Sequence, residues 1–180
     1  MTKLEIYTDG SSSKNGTPEC YAGWALAIPD FEGKTMIQYG DLPAPSSNNK
    51  GEIMGVLLAV QMFHKQTKFS PIIYSDSQYV VKSCNEWRHK WKRDNYSGVK
   101  NKQLLIPLFE MLDADLSGLK IVWVKAHNGT PGNELADEYC GYGKIKRDMS
   151  VHYENKLVTF IEYNKLIERF PKYETTYNNN

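Results

Sequence analysis

Pro71-Ile72-Ile73-Tyr74-Ser75-Asp76-Ser77-Gln78-Tyr79 is the stretch that decides the fold. It opens as a short buried strand. An acid follows at once, and Asp76 or Ser77 is placed to cap a helix running to about Trp91. Working outward, residues 3–9 alternate as a strand that ends on Asp9. Residues 22–29 and 34–42 read as two more strands, joined as a hairpin through Asp30-Phe31-Glu32-Gly33. Residues 52–66 are apolar on most faces and long enough for a buried helix. Leu104, Leu105, Leu108, Phe109 and Leu112 recur at helical spacing within residues 101–115. Residues 119–126 form another strand pattern. Thr130-Pro131 then supplies an N-cap followed by proline at the first helical position, for a helix to about Tyr142. The order βββαβααβα predicts an α/β layer fold, with helices flanking a mixed five-stranded sheet and a C-terminal extension beyond it.

The chain has 180 residues, enough for one domain and an appendage, and 41% hydrophobic residues, ample for a packed core. Its net charge of +1 is unevenly spread. Between Lys82 and Lys102 there are seven basic residues against two acids, so this segment is +5 and the remainder −4. Cys20, Cys84 and Cys140 lie far apart, without metal-site or disulfide-framework spacing. They read as reduced structural thiols, which points to the cytoplasm. Met1-Thr2-Lys3 leads straight into a strand pattern, so no signal peptide is expected. No apolar run approaches a membrane-spanning length.

Four acids stand at the ends of different elements: Asp9, Glu52, Asp76 and Asp137. In open α/β sheets, sites gather at the carboxyl ends of strands, where Asp9 and Asp76 both fall. Taken singly, each acid has an ordinary explanation. Asp9-Gly10 is a common turn pair. Glu52 in a first helical turn would favour the macrodipole. Asp76 would cap a helix. Yet nearly everything after Glu52 is apolar, and a buried acid needs a partner. Like charges converging in one pocket also need neutralising, and hard divalent cations such as Mg²⁺ take oxygen ligands.

Around the acids lie groups suited to nucleic acid. Ser11, Ser12, Ser13, Lys14, Asn15 and Gly16 form a polar loop fit for phosphate and sugar contacts. Asn48 and Asn49 can donate and accept hydrogen bonds at a sugar edge. His127 begins a glycine-bearing loop ahead of Asp137, and an imidazole titrates near neutrality. Residues 87–96 interleave basic and aromatic side chains, with Trp87 and Trp91 spaced i, i+4. Large aromatics beside a dense cationic run suit a nucleic-acid backbone groove.

Together, Thr8-Asp9-Gly10-Ser11, Asn48-Asn49-Lys50-Gly51-Glu52, Ser75-Asp76-Ser77-Gln78-Tyr79 and Val124-Lys125-Ala126-His127 through Asp137 resemble the type 1 ribonuclease H family over roughly residues 3–145. The resemblance implies a ribonuclease H-like fold over residues 1–147, with residues 148–180 as an extension. It implies endonucleolytic hydrolysis of the RNA strand of RNA–DNA hybrids, giving 5′-phosphate and 3′-hydroxyl ends. It implies two Mg²⁺ ions, with Mn²⁺ able to stand in. Asp9 would bridge them, Asp137 would complete the ion that activates water, and Glu52 and Asp76 would hold the other. His127 would assist proton transfer or product release. Glu52, Asn48, Asn49 and Gln78 match the family's positions for reading 2′-hydroxyls. Asn15 and Ser47 would grip a phosphate of the DNA strand, and Asn133 would join the substrate contacts. Trp87, Arg88, Lys90, Trp91, Lys92 and Arg93 look like the family's basic protrusion. Two departures stand out. The loop Lys14–Cys20 has fewer glycines than is usual in bacterial members, and no hybrid-binding domain precedes the first strand, so processivity from one is not expected.

The tail from about Asp148 lies outside the resemblance. Thr159-Phe160-Ile161-Glu162 has capping-box spacing, and Phe160, Tyr163, Ile167 and Phe170 make one apolar helical face ended by Pro171. A helix docked in cis is favoured over one that binds a protein partner, and the last residues, Thr175 to Asn180, read as disordered. The whole chain reads as a monomer and an independent gene product. The competing readings are a catalytically silent hybrid-binding module and the nuclease domain of a reverse transcriptase.

Overall fold

A computed structural model describes residues 2–148 and 156–158. Strands β1 (Thr2–Ser13), β2 (Tyr21–Phe31) and β3 (Lys34–Leu42) form an antiparallel meander. Helix α1 (Asn48–Phe63) leads to β4 (Phe69–Ser75), which pairs parallel with β1. A helical run follows as α2 (Gln78–Lys82), a π-helical turn (Ser83–Trp87) and α3 (Arg88–Arg93). Helix α4 (Lys102–Asp113) precedes β5 (Lys120–Trp123), parallel to β4, and α5 (Pro131–Asp148). The five expected strands are all present. A three-residue sixth, β6 (Lys156–Val158), pairs antiparallel with β3 and gives the sheet order β5-β4-β1-β2-β3-β6.

Helices cover both faces of the sheet. Alternation in β1 sends Leu4 and Ile6 into a core with Ile53, Val56 and Val60 of α1 and Leu105, Leu108 and Phe109 of α4. Tyr7 instead packs with Leu135, Ala136 and Tyr139 of α5. Strand β2, covered on both sides, is buried without a break from Ala22 to Ile28, as a central strand must be.

Several boundaries differ from the sequence expectation, each for a local reason. Helix α1 starts at Asn48 and not at residue 52, because Ser47 caps it by accepting from the Lys50 amide at 3.1 Å. Polar residues 48–51 carry no apolar period that would announce a helix. Strand β5 stops at Trp123, short of the expected 126. Its partner β4 ends at Ser75, so the ladder closes with the Val124 amide on the Ser75 carbonyl at 2.9 Å. Helix α5 begins at Pro131 as expected, with the Thr130 carbonyl accepting from the Glu134 amide, and continues past Tyr142 to Asp148. The capping box at Thr159, the apolar stripe of Phe160, Tyr163, Ile167 and Phe170, and the Thr175–Asn180 end lie outside the described residues.

Two close backbone approaches bring the acid-bearing elements together. A Cβ on Gly10 would overlap the Glu52 amide nitrogen, so β1 lies directly against the start of α1. A Cβ on Gly23 would overlap the Cys140 carbonyl, so α5 seats directly on β2. Any larger residue would push these helices off the sheet.

Candidate active site

Each of the four acids is delivered by a different element. Asp9 lies within β1, opposite Ala25 of β2, and is 4% exposed. Glu52 lies on α1, beyond its first turn, and is 6% exposed. The macrodipole explanation for Glu52 therefore does not apply, since that effect falls off within the first turn. Asp76 is half-buried just after β4, and its ordinary explanation falls too. The α2 cap is Ser77, whose hydroxyl accepts from the Val80 amide at 3.3 Å, which leaves the Asp76 carboxylate free of that duty. Asp137 projects from α5 and is exposed.

The fold draws these side chains together. One carboxylate oxygen from each of Asp9, Glu52 and Asp76 lies within 4.8 Å of the others. Asp9 also belongs to a second group, with Asp137 and the Cys140 sulfur, of the same compactness. Asp9 is thus common to both. Only its oxygen Oδ1 receives a backbone hydrogen bond, from the Gly10 amide at 2.8 Å.

The electrostatic cost is large. Burial, then the charges of Glu52 and Asp76, push the Asp9 carboxyl far above the usual carboxylate range, against the Gly10 amide. Burial and the Asp76 charge push Glu52 up as well. Asp76 is raised by burial, in opposition to hydrogen bonds from Asn133 and Asp9 and to the positive influence of His127. Three carboxyls raised together by burial and mutual repulsion are a pocket in which a divalent cation would be strongly favoured. Glu52 Oε2 is moreover a buried oxygen with no hydrogen-bond partner. A buried acceptor left unsatisfied is costly unless something binds it. Asp9, Glu52, Asp76 and Asp137 are an all-oxygen donor set of the kind Mg²⁺ and Mn²⁺ prefer, and these residues fit such an ion.

The remaining candidates fall into distinct places. His127 is exposed, with a left-handed backbone (φ 52°), on the loop between β5 and α5. Asn48 and Asn49 occupy the first turn of α1, and Asn15 ties the first loop to it by accepting from the Asn48 amide at 3.1 Å. Ser47, expected at a phosphate, accepts the Lys50 amide as the α1 cap, which leaves its O–H to donate. Gln78 is exposed at the start of α2. Asn133, expected among substrate contacts, is 2% exposed and hydrogen-bonds Asp76, so the structure places it behind that carboxylate. In the protrusion, Trp87 is exposed, whereas Trp91 turns inward against Phe109, with ring centroids 6.3 Å apart. Arg88 and Lys92 both engage Asp113, while Lys90 and Arg93 stand exposed.

Sequence reasoning missed three participants. Cys140 has its sulfur beside Asp9 and Asp137, and its spacing of three residues from Asp137 was the available signal, since i and i+3 share a helix face. Trp123 donates its indole N–H to the Asp76 carbonyl at 3.2 Å and thereby anchors the backbone of that acid. Asp113 is an acid at a helix end, with nothing local to mark it.

A family model described as RNase H matches residues 1–144. A ribonuclease H of Caulobacter sp. (strain K31) is 36% identical over 151 residues, covering 80% of this chain and 91% of its own length. A ribonuclease H of Neorickettsia sennetsu is 34% identical over 142 residues, covering 76% and 89%. Among solved structures, LC9-RNase H1, described as a type 1 RNase H with the type 2 active-site motif, superposes with a TM-score of 0.71 at 22% identity. It covers 96% of this chain and 86% of its own. The PFV RNase H domain superposes with a TM-score of 0.64 at 23% identity, covering 79% and 94%. At such identities these two structures bear on the fold alone.

Proposed function

The chain belongs to the RNase H family, and on that premise we propose that it hydrolyses the RNA strand of RNA–DNA hybrids by a two-metal-ion route, leaving 5′-phosphate and 3′-hydroxyl ends. The observation that carries this reading is the convergence of the Asp9, Glu52 and Asp76 carboxylates within 4.8 Å, with Asp137 grouped with Asp9 at the same spacing. The catalytic unit in this reading is residues 1–147, with 148–180 as an extension.

Asp9, common to both groups, is the residue suited to bridge two ions. Glu52 and Asp76 would complete one ion's ligands and Asp137 the other's. When bound, such a pair supplies activation of the attacking water and stabilisation of the departing 3′-oxygen. Trp123 and Asn133 hold Asp76 from its backbone and from its carboxylate, and so keep that ligand in place. His127, exposed on its loop, can take a proton at an imidazole nitrogen and carry it to solvent. Discrimination of RNA from DNA needs groups that hydrogen-bond a 2′-hydroxyl. In this reading Asn48, Asn49 and Gln78, at the starts of α1 and α2, and Glu52 on α1 would supply them. Asn15 and Ser47 lie together at the α1 start, where the phosphate of the DNA strand would pass. No helix among the described residues is long and apolar enough to cross a membrane. Three free, buried cysteines fit a reducing compartment such as the cytoplasm.

The test is to incubate the protein with labelled RNA–DNA hybrid, double-stranded RNA, double-stranded DNA and each single strand, with and without Mg²⁺. Cleavage confined to the RNA strand of the hybrid and dependent on Mg²⁺ is the expected outcome. An inert hybrid, or equal cutting of double-stranded DNA, overturns the reading.

A further inference from the structure

The protrusion holds four cations within α3, but they are not equivalent. In a helix of 3.6 residues per turn, Arg88 and Lys92 share one face, and Lys90 and Arg93 lie on the opposite one. The Arg88–Lys92 face turns toward the C-terminal end of α4. There Arg88 Nη1 lies 2.7 Å from Asp113 Oδ1, and Lys92 Nζ lies 2.7 Å from Asp113 Oδ2. Both oxygens of one carboxylate are thus occupied, each by a different cation. Arg88 is further fixed by its Nε–H, which donates to the Cys84 carbonyl at 3.0 Å, and its side chain is only 17% exposed. The Lys92 hydrogen bond, with the Arg88 charge beside it, holds the Asp113 carboxyl below its usual range, so it stays ionised. Lys90 and Arg93 are exposed, and among the described residues neither has an ion pair.

Resting on the reading above, we propose that Asp113 is an internal counterion that withholds Arg88 and Lys92 from nucleic-acid phosphates, leaving Lys90 and Arg93 to carry the protrusion's salt-dependent grip. A phosphate that recruits Arg88 or Lys92 competes with a carboxylate that is already in place and tethered to the same fold. The protrusion therefore binds as a weaker polycation than its composition states. That restrains adhesion to duplexes the enzyme does not cut, while Trp87 stays exposed for stacking.

The experiment measures affinity against salt, without divalent cation, for an RNA–DNA hybrid and for double-stranded DNA of the same sequence. In the native background, K90A/R93A should flatten the salt dependence, and R88A/K92A should change it little. D113N should tighten binding to both duplexes and steepen the dependence. Two further phosphate contacts correspond to an added fall in affinity of about tenfold between about 50 and about 200 mM salt. In the D113N background, R88A/K92A should now remove that gain, as a double-mutant cycle. E110Q changes the charge of the same helix equally at an exposed position without an ion pair among the described residues, so it should leave the slope unchanged. D113S repeats the test if D113N is unstable. The proposal is overturned if D113N behaves as E110Q does, or if R88A/K92A in the native background flattens the slope as much as K90A/R93A. Failure of the proposed function looks different: the hybrid is then not cleaved, while the double-stranded DNA arm still reads Asp113.

Discussion

The acid cluster and the basic protrusion are both concentrations of like charge, and the fold treats them in opposite ways. Asp9 and Glu52 are buried, pressed together by β1 and α1 meeting at Gly10, and left with an unsatisfied oxygen. In the protrusion the side chains of Lys90, Lys92 and Arg93 stay in water, and two of the four cations share Asp113 as a counterion. Burial makes repulsion expensive and so selects for a tightly bound counter-ion, whereas solvent screens exposed charges. In the proposed mechanism, charge meant for chemistry is buried at a cost in stability. Charge that steers a polyanion needs little more than exposure.

The largest expected effect falls on the buried side of this contrast. Asp9→Asn or Asp76→Asn should lower cleavage by about a hundredfold or more, since oxygen-to-amide exchange removes a ligand charge from a metal site. The fold should survive. Asp9, Glu52 and Asp76 have folded-state pKa values raised above those of an unfolded chain. Such groups contribute stability that is present below the unfolded value, about 4, and lost as pH rises through the folded values. In metal-free buffer the wild type should therefore melt lower as pH climbs above about 4, and Asp9→Asn should weaken that dependence. Near-native cleavage by either variant breaks the two-ion assignment. A melting temperature of Asp9→Asn that tracks the wild type across pH breaks the repulsion argument.

Next in size is His127, to which the proposed mechanism gives a role at the site but which resembles the protrusion in exposure. His127→Ala should slow kcat by about 10²-fold, the lower end for general acid–base assistance, with a smaller change in KM. Steady-state kinetics checks this. Loss of all activity in a folded variant would make the histidine indispensable and erase the intermediate class. A smaller effect is expected from Trp123→Phe, which deletes the indole N–H bond to the Asp76 carbonyl. A net hydrogen bond of about 0.5–1.5 kcal/mol corresponds to about 2- to 10-fold. That loss should appear in kcat, with KM for hybrid unchanged, if the bond positions Asp76. A loss confined to KM would move Trp123 from the acid side of the comparison to the substrate-contacting side.

The smallest effect is expected at the far edge of the sheet, remote from both charged regions. Ending the chain at Asp148 removes β6 from the edge of β3. About 1 kcal/mol of lost pairing would lower the melting temperature by about 2–4 °C. Hybrid cleavage should persist, because all four acids precede the cut. Abolished cleavage would bring the extension into the site and undo its separation from residues 1–147.

Residues 71–79 show how far local reading reaches. Strand β4 and the helix after it were legible in Pro71 to Tyr79, because apolar run length and capping chemistry are short-range signals, whereas the choice of Ser77 over Asp76 as the cap was not. Thr130-Pro131 marked the start of α5 for the same reason. The π-helical turn Ser83–Trp87 left no such mark, since one extra residue in a turn does not alter composition. Start of α1 was also illegible, because Asn48-Asn49-Lys50-Gly51 carries neither period nor apolar face.

What the sequence by itself determined is the order of the elements and the position of an acid at the end of β4 and on two helices. Those are properties of a few neighbouring residues, and each residue's neighbours are written beside it. Asp9, read as the end of a strand over residues 3–9, instead lies inside β1, whose ladder with β2 runs on to Ser13. Only the tertiary structure decided that Asp9 is shared between two groups of ligands, that the Cys140 sulfur stands beside Asp9 and Asp137, and that Asp113 takes Arg88 and Lys92. Each of these joins residues from different elements, some of them more than a hundred positions apart. Such meetings follow from where Gly10 and Gly23 let helices touch the sheet, and from which face of α3 packs on α4. A contact of that kind exists only once the layers are assembled, since close packing and not local propensity sets the distances between layers.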